Sequence, residues 1–229
     1  MSQIESAKTL SDYERYIRTE ELLALQKVPE ERSNREELLF QVIHQSMELW
    51  LKVVLDEIDR VVGLLDAGDL GQAAHHLRRI TLIERHLGNS LEILESMAPA
   101  DYHVIRLGLG RGSGQESPGF NAVLREAPRL WPAFERARQK TGLSLEEIFE
   151  DPRRNWDLWQ VIQGLMAMDE YFQTWRFHHY ELVKRIIGLE VKSLKGVPAS
   201  QLRFGVDEAF FPALWEQVPL LTRKTRPEY

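Results

Sequence analysis

The chain has no cysteine. Disulfides, thiolate metal sites, cysteine nucleophiles and thioether attachment of a prosthetic group are therefore excluded. No run of about 18 apolar residues is present, and Met1-Ser-Gln-Ile-Glu lacks the basic-then-apolar pattern of an export signal. The expectation is a cytoplasmic protein without a membrane partner. Positive charge is not in excess: 29 Lys and Arg stand against 35 Asp and Glu, for a net charge of −6. That balance argues against a nucleic-acid groove. No segment shows sustained strand alternation, low complexity or an internal repeat, so the expected class is all-α. With 229 residues, 43% hydrophobic and 28% charged, the chain has room for one large globular domain or two small ones.

The most informative stretch is Trp175–Gly188, inside a helical pattern running from about Asp157 to Gly188. At roughly 100° per residue, Leu165, Met168, Phe172, Trp175, His179, Val183 and Ile186 share one stripe. His179 is mid-stripe, whereas His178 is about 100° away. An imidazole on a buried face must hydrogen-bond or bind a metal, since an unpaired polar group there costs roughly 1–3 kcal/mol. A core histidine bonded to a neighbour and a metal ligand both satisfy this requirement.

The other elements follow from capping and periodicity. Residues 1–12 are polar, and Tyr13 and Tyr16 share one side of a helical turn. A short helix from Thr19 ends near Pro29. Ser33-Asn34-Arg35-Glu36 reads as a cap for a helix reaching about Asp66. Its apolar arc (Leu39, Val42, Ile43, Leu49, Trp50, Val53, Val54, Ile58, Val61, Val62, Leu65) is wide enough to imply burial on more than one side. Phe40, His44, Met47 and Leu51 run along its flank, and Gln41, Gln45, Glu48 and Lys52 cover its polar side. A Gly68-Asp69 turn leads to a third helix, about Leu70–Met97, with His75, His76 and His86 on a solvated face. Tyr102 and Arg106, four apart, fit a carboxylate clamp or a surface ion pair equally well. The glycine-dense Gly108–Gly114 follows a helix and lacks a Gly-Lys-Ser/Thr ending, so it is not a nucleotide loop. Short helical pieces fill 120–156 between Pro128, Pro132, Gly142 and Pro152. A loop is expected over Leu189–Gly205 and a last helix over Val206–Leu221.

Two stretches carry a resemblance. Leu39-Phe40-Gln-Val-Ile-His44-Gln45-Ser-Met-Glu48-Leu49-Trp50 resembles the distal-side helix of tryptophan 2,3-dioxygenases. Trp175-Arg176-Phe-His-His179-Tyr-Glu-Leu-Val183-Lys-Arg185-Ile-Ile-Gly188 resembles their haem-ligand helix. Lesser matches keep the same order: Tyr13 with Tyr16, Leu22–Gln26, Glu95–Tyr102 with Arg106, Ser113-Gly114, and Phe210-Phe211-Pro212-Ala-Leu214-Trp215. The resemblance covers nearly the whole chain. It implies one helical domain over residues 1–229, built of long helices around one non-covalent haem b with O2 as co-substrate. By the same resemblance His179 would ligate the iron, His44 would meet the indole N–H, and Phe40 would stack on the indole. Arg106, helped by Tyr102, would pair with the substrate carboxylate. Ser113 and Ser193 would be hydroxyl residues near the haem and substrate. Tyr13 and Tyr16, within residues 1–18, would complete a neighbouring subunit's site in a homotetramer. The implied reaction adds oxygen across the indole C2–C3 bond of L-tryptophan, or a close derivative, to give an N-formylkynurenine.

Departures fall in the recognition loops. The family's Gly-Thr-Gly-Gly-Ser-Ser-Gly corresponds to Leu189-Glu-Val-Lys192-Ser193-Leu-Lys195-Gly196. Its Ser-Gly-Phe-Gln-Ser is matched to Ser113-Gly114-Gln115-Glu116-Ser117, and Leu91 replaces a frequent tryptophan. These changes support an alternative: a related haem monooxygenase or hydroxylase acting on a modified aromatic amino acid in secondary metabolism. A helical haem- or ligand-binding protein without turnover is a third reading. A zinc hydrolase on His44 and His179 lacks a third ligand at suitable spacing.

Overall fold

A computed structural model describes residues 10–110, 112, 114–191 and 199–226. Among the described residues there is no strand, as the sequence led us to expect. The helices are α1 (Asp12–Ile17), α2 (Thr19–Leu23), α3 (Glu37–Ala67), α4 (Leu70–Glu95), α5 (Pro99–Gly108), α6 (Pro118–Glu126), α7 (Leu130–Gln139), α8 (Leu145–Glu150), α9 (Trp156–Ile186) and α10 (Pro212–Thr225). No helix among the described residues is long and apolar enough to cross a membrane.

Three long helices set the frame. At the start of α3, the Asn34 side chain accepts from the Glu36 and Glu37 amides, and the Ser33 amide and hydroxyl donate to the Glu37 carboxylate. These bonds satisfy donors that a helix leaves unpaired at its first turn. At the other end Gly68 has φ 80°, a left-handed residue that closes α3. Asp69 then caps α4 through the Gln72 amide, so α3 and α4 form an antiparallel pair.

Helix α9 packs along α4 in the same direction: Gly164 lies against Leu77, and further on Arg185 approaches Glu95 at 3.8 Å. A Cβ on Gly164 would come within 2.8 Å of the Leu77 Cβ. Glycine there permits the close approach of the two helices. Helices α6 and α7 cover α3, while α8 and α10 pack together and are joined by Lys224 to Glu146 and Glu150. The buried residues form one contiguous hydrophobic cluster.

Three sequence expectations need correction. The buried stripe of α3 is Ile43, Met47, Leu51, Val54, Ile58, Val61 and Leu65. Val42, Leu49, Trp50 and Val53, expected inside, are between 37% and 52% exposed. A periodic arc fixes which residues share a face; it does not reveal how much of a wide face this chain itself covers. His76, expected in solvent, is buried because its Nδ1 is 2.5 Å from Glu57 Oε2, whose other oxygen takes Arg79 at 2.7 Å.

The last helix starts at Pro212, not Val206, and Ala199–Gly205 forms a 3-10 turn within the expected loop. The cause is Asp169 on α9. Its carboxylate accepts the Phe210 amide (2.5 Å), the Phe211 amide (3.0 Å) and Trp215 Nε1 (3.0 Å). Arg176 donates to the Gly205 and Glu208 carbonyls from the same helix.

Candidate functional site

A cavity of about 490 Å³ lies between the N-terminal half of α3 and the C-terminal half of α9, floored by Leu91 and Leu94 of α4. Ligand and cofactor sites typically measure 300–1,000 Å³, are mostly apolar, and have few polar groups. The polar groups here come from distant parts of the chain: His44 and Glu48 on α3, Tyr102 and Arg106 on α5, Glu116 and Ser117 before α6, and His179 on α9.

His44 is fixed by its own helix. Its Nδ1 is 2.7 Å from the Phe40 carbonyl oxygen, and the Phe40 and His44 rings are 4.1 Å apart. A carbonyl can only accept, so Nδ1 carries the proton and Nε2 keeps a lone pair. Burial holds the His44 pKa below its usual range, outweighing the opposing effects of the Phe40 carbonyl and the Glu48 charge. The ring is therefore neutral and presents an acceptor.

His179 lines the cavity from α9, and its ring stacks on Trp175 at 5.0 Å and 8°. Burial, with a smaller contribution from His44, pushes its pKa down to about 4. No hydrogen bond engages either ring nitrogen among the described residues, so the neighbour-bonded core histidine is not what the structure contains. A neutral, unclaimed imidazole beside an apolar cavity has the electronic form of a metal ligand. No group of three or more acidic, histidine or cysteine side chains among the described residues would hold a bare metal ion. His178 is absent from the lining.

Tyr102 and Arg106 both reach the cavity from α5. Burial raises the Tyr102 pKa, and the Arg106 charge partly offsets this. No carboxylate lies within ion-pair distance of Arg106 among the described residues, so the surface ion-pair alternative is not realised. Tyr13 and Tyr16 are 70% and 88% exposed on α1 and are not part of the cavity lining. Ser113 and Ser193 lie outside the described residues.

Comparison with known proteins decides the family. The tryptophan 2,3-dioxygenase family model matches residues 2–126. This chain belongs to the tryptophan 2,3-dioxygenase family. It is similar to the tryptophan 2,3-dioxygenase of Caulobacter vibrioides, with 30% identity covering 89% of this chain and 95% of the relative. The corresponding enzyme of Erythrobacter litoralis is 29% identical over 88% of this chain and 95% of its own. That of Bacillus thuringiensis subsp. konkukian is 26% identical over 89% and 90%. The chain is thus an enzyme of a dioxygenase family, and the all-α architecture is that family's.

Sequence reasoning missed Glu48, Ser117, Phe120 and Trp175 as cavity residues. Periodicity assigned Glu48 to the polar face of α3, and the family serine-glycine was matched to Ser113-Gly114. Gly114, Ser117 and Phe120 all line the cavity, so the Ser117–Phe120 run joins it beside Gly114. The Gly119-Phe120 pair was the available signal for that second run.

Proposed function

We propose that this chain is a haem-dependent dioxygenase that adds both atoms of O2 across the indole C2–C3 bond of L-tryptophan or a close derivative, giving an N-formylkynurenine. The observation that carries this reading is the pair of neutral histidines, His44 and His179, on two long helices flanking one apolar cavity that also receives Arg106. The residues fit a haem. His179 offers an unprotonated nitrogen, the lining is largely apolar, and Trp175 Nε1 is a buried donor with no acceptor among the described residues. A bound group carrying an acceptor would relieve that unpaired donor.

Haem b, when bound through His179, supplies the ferrous iron that activates dioxygen. The chain's own residues bind and orient the substrate. Phe40 supplies an aromatic face for the indole. His44 Nε2 accepts the indole N–H and fixes the ring without having to remove the proton. Arg106 receives the substrate carboxylate in a two-pronged contact, with Tyr102 beside it.

We further propose a single domain over residues 1–229 in a cytoplasmic homotetramer, with residues 1–18 completing a neighbour's site. The exposed Tyr13 and Tyr16 and the bare apolar stripe Val42, Leu49, Trp50 and Val53 on α3 support this assembly.

The test is reconstitution with haem, reduction, and product analysis after aerobic incubation with L-tryptophan under labelled O2. Gain of two labelled oxygen atoms is expected; gain of one would establish the monooxygenase reading instead. His179→Ala should abolish the ferrous histidine-ligated spectrum while His178→Ala keeps it. An unchanged spectrum in His179→Ala overturns the ligand assignment.

A further inference from the structure

We propose that Glu48 is a positioning residue: by pinning the Ser117–Phe120 corner to α3, it sets Phe120 against Trp175 and through it the attitude of the His179 ring. Its functional weight rests on the haem reading above, whereas the coupling is a property of the protein alone.

Glu48 follows His44 by one turn of α3 and lines the same cavity. Among the described residues no lysine, arginine or histidine is paired with it. Its two oxygens instead take two donors from one corner: Oε1 accepts the Ser117 hydroxyl at 2.5 Å, and Oε2 accepts the Gly119 amide at 2.9 Å. A carboxylate beside an apolar cavity without a cation must be stabilised by such donors. Here they lie at the first turn of α6, where the helix dipole also favours negative charge. Ser117 Oγ accepts in turn from the Phe120 amide at 3.1 Å, so one hydroxyl both caps α6 and ties it to Glu48.

Gly119 shows how tight the junction is. A Cβ there would fall 2.6 Å from Glu48 Oε2 and 2.9 Å from the Leu51 Cβ. Leu51 belongs to the buried stripe of α3 and its Cβ is held by the helix backbone, so any side chain at 119 must lift the corner away.

The next residue transmits the position. The Phe120 ring lies 3.9 Å from Trp175 and 5.3 Å from Phe172. Trp175 is stacked in parallel on His179. Glu48, Gly119-Phe120, Trp175 and His179 therefore form a continuous line of contacts from the His44 helix to the His179 helix. Helices α3 and α9 each pack chiefly on α4, so this corner is a direct strut between the two walls of the site.

The rival explanation is that Glu48 only stabilises the fold. Histidine-labelled, cofactor-free protein separates the two. The His179 ring signals are assigned by their loss in His179→Ala, then followed in Glu48→Ala, Glu48→Gln, Ser117→Ala and Gly119→Ala. Glu48→Ala and Gly119→Ala should displace the His179 signals most. Glu48→Gln, which retains one carbonyl acceptor, and Ser117→Ala should displace them less. Ile162→Val, which lowers thermal stability away from the corner, should leave them in place. The proposal is overturned if the His179 signals stay at their wild-type position in Glu48→Ala, or if Ile162→Val moves them equally. Should Glu48→Ala not fold, Glu48→Gln and Ser117→Ala decide the matter by the same criterion. A wild-type protein that takes up no haem would overturn the proposed function and leave this comparison intact.

Discussion

His44 donates its Nδ1 proton to the Phe40 carbonyl oxygen 2.7 Å away, four residues earlier on the same helix. One bond thus fixes three things: the ring's orientation, its tautomer, and the acceptor character of Nε2. For a bound indole this predicts recognition of the N–H without a need for proton abstraction.

Replacing His44 by alanine should therefore weaken tryptophan binding by the worth of one ordinary hydrogen bond, about 0.5–1.5 kcal/mol, or roughly 2- to 12-fold. The sulfur isostere of the indole, which lacks the N–H, should bind wild-type protein more weakly than tryptophan does. The His44→Ala variant should not distinguish the two. Equilibrium titration of both ligands on both proteins measures this, and a preserved preference for the N–H compound would remove His44 from that role.

Arg106 carries a positive charge into the cavity, and among the described residues no carboxylate lies within ion-pair distance of it. Arg106→Ala should cost roughly 2–5 kcal/mol in substrate affinity, about 30- to several-thousand-fold, because the substrate carboxylate is left buried and unpaired. Haem content should be unchanged. Wild-type protein should prefer tryptophan to indole-3-ethylamine, which has no carboxylate, and the variant should lose that margin. If it does not, the carboxylate is held elsewhere.

Glu84 governs a pH dependence. It is buried on α4, neither carboxyl oxygen has a hydrogen-bond partner among the described residues, and burial together with the nearby Asp169 holds its pKa well above 4.5. A carboxyl raised in the folded state is stable there as the neutral acid. Its contribution is fully present below the unfolded value near 4.5 and is lost as pH rises toward the folded value. Glu84→Gln should accordingly match wild type in thermal stability near pH 4 and exceed it at pH 8. Equal melting temperatures at both pH values would contradict this account.

The N-terminal segment should act between subunits. Deleting residues 1–18 should raise KM for tryptophan at least tenfold while haem remains bound, since Tyr13 and Tyr16 do not reach the cavity of their own chain. Light scattering should show an oligomer before truncation. A fully active monomer would refute the shared site.

Much of the fold was legible because helices announce themselves locally. Apolar spacing over 37–67, 70–95 and 156–186, the Asn34 and Asp69 caps and the Gly68 stop depend on residues a few positions apart, and these long helices emerged nearly where the pattern placed them. The His179 stripe was visible for the same reason, and so was the Tyr102–Arg106 pairing on one face. Errors arose where a partner distant in sequence decides the outcome. His76 is buried because Glu57 and Arg79 receive it, and Val206–Phe211 is not helical because Asp169, about 40 positions earlier, claims two of its amides.

The sequence by itself therefore determined the helices, their capping, the family and the two histidines on apolar or flanking faces. Tertiary structure alone decided that His44, His179, Tyr102 and Arg106 open onto one cavity and that the His179 ring nitrogens have no hydrogen-bond partner among the described residues. It also decided that Glu48, which looks like a solvated residue by periodicity, turns inward to hold Ser117 and Gly119. The physical reason is range. Helix propensity and capping act within one or two turns of backbone. Burial, pKa shifts and the pairing of a carboxylate with a hydroxyl and an amide some 70 residues away depend on which surfaces meet when the helices pack.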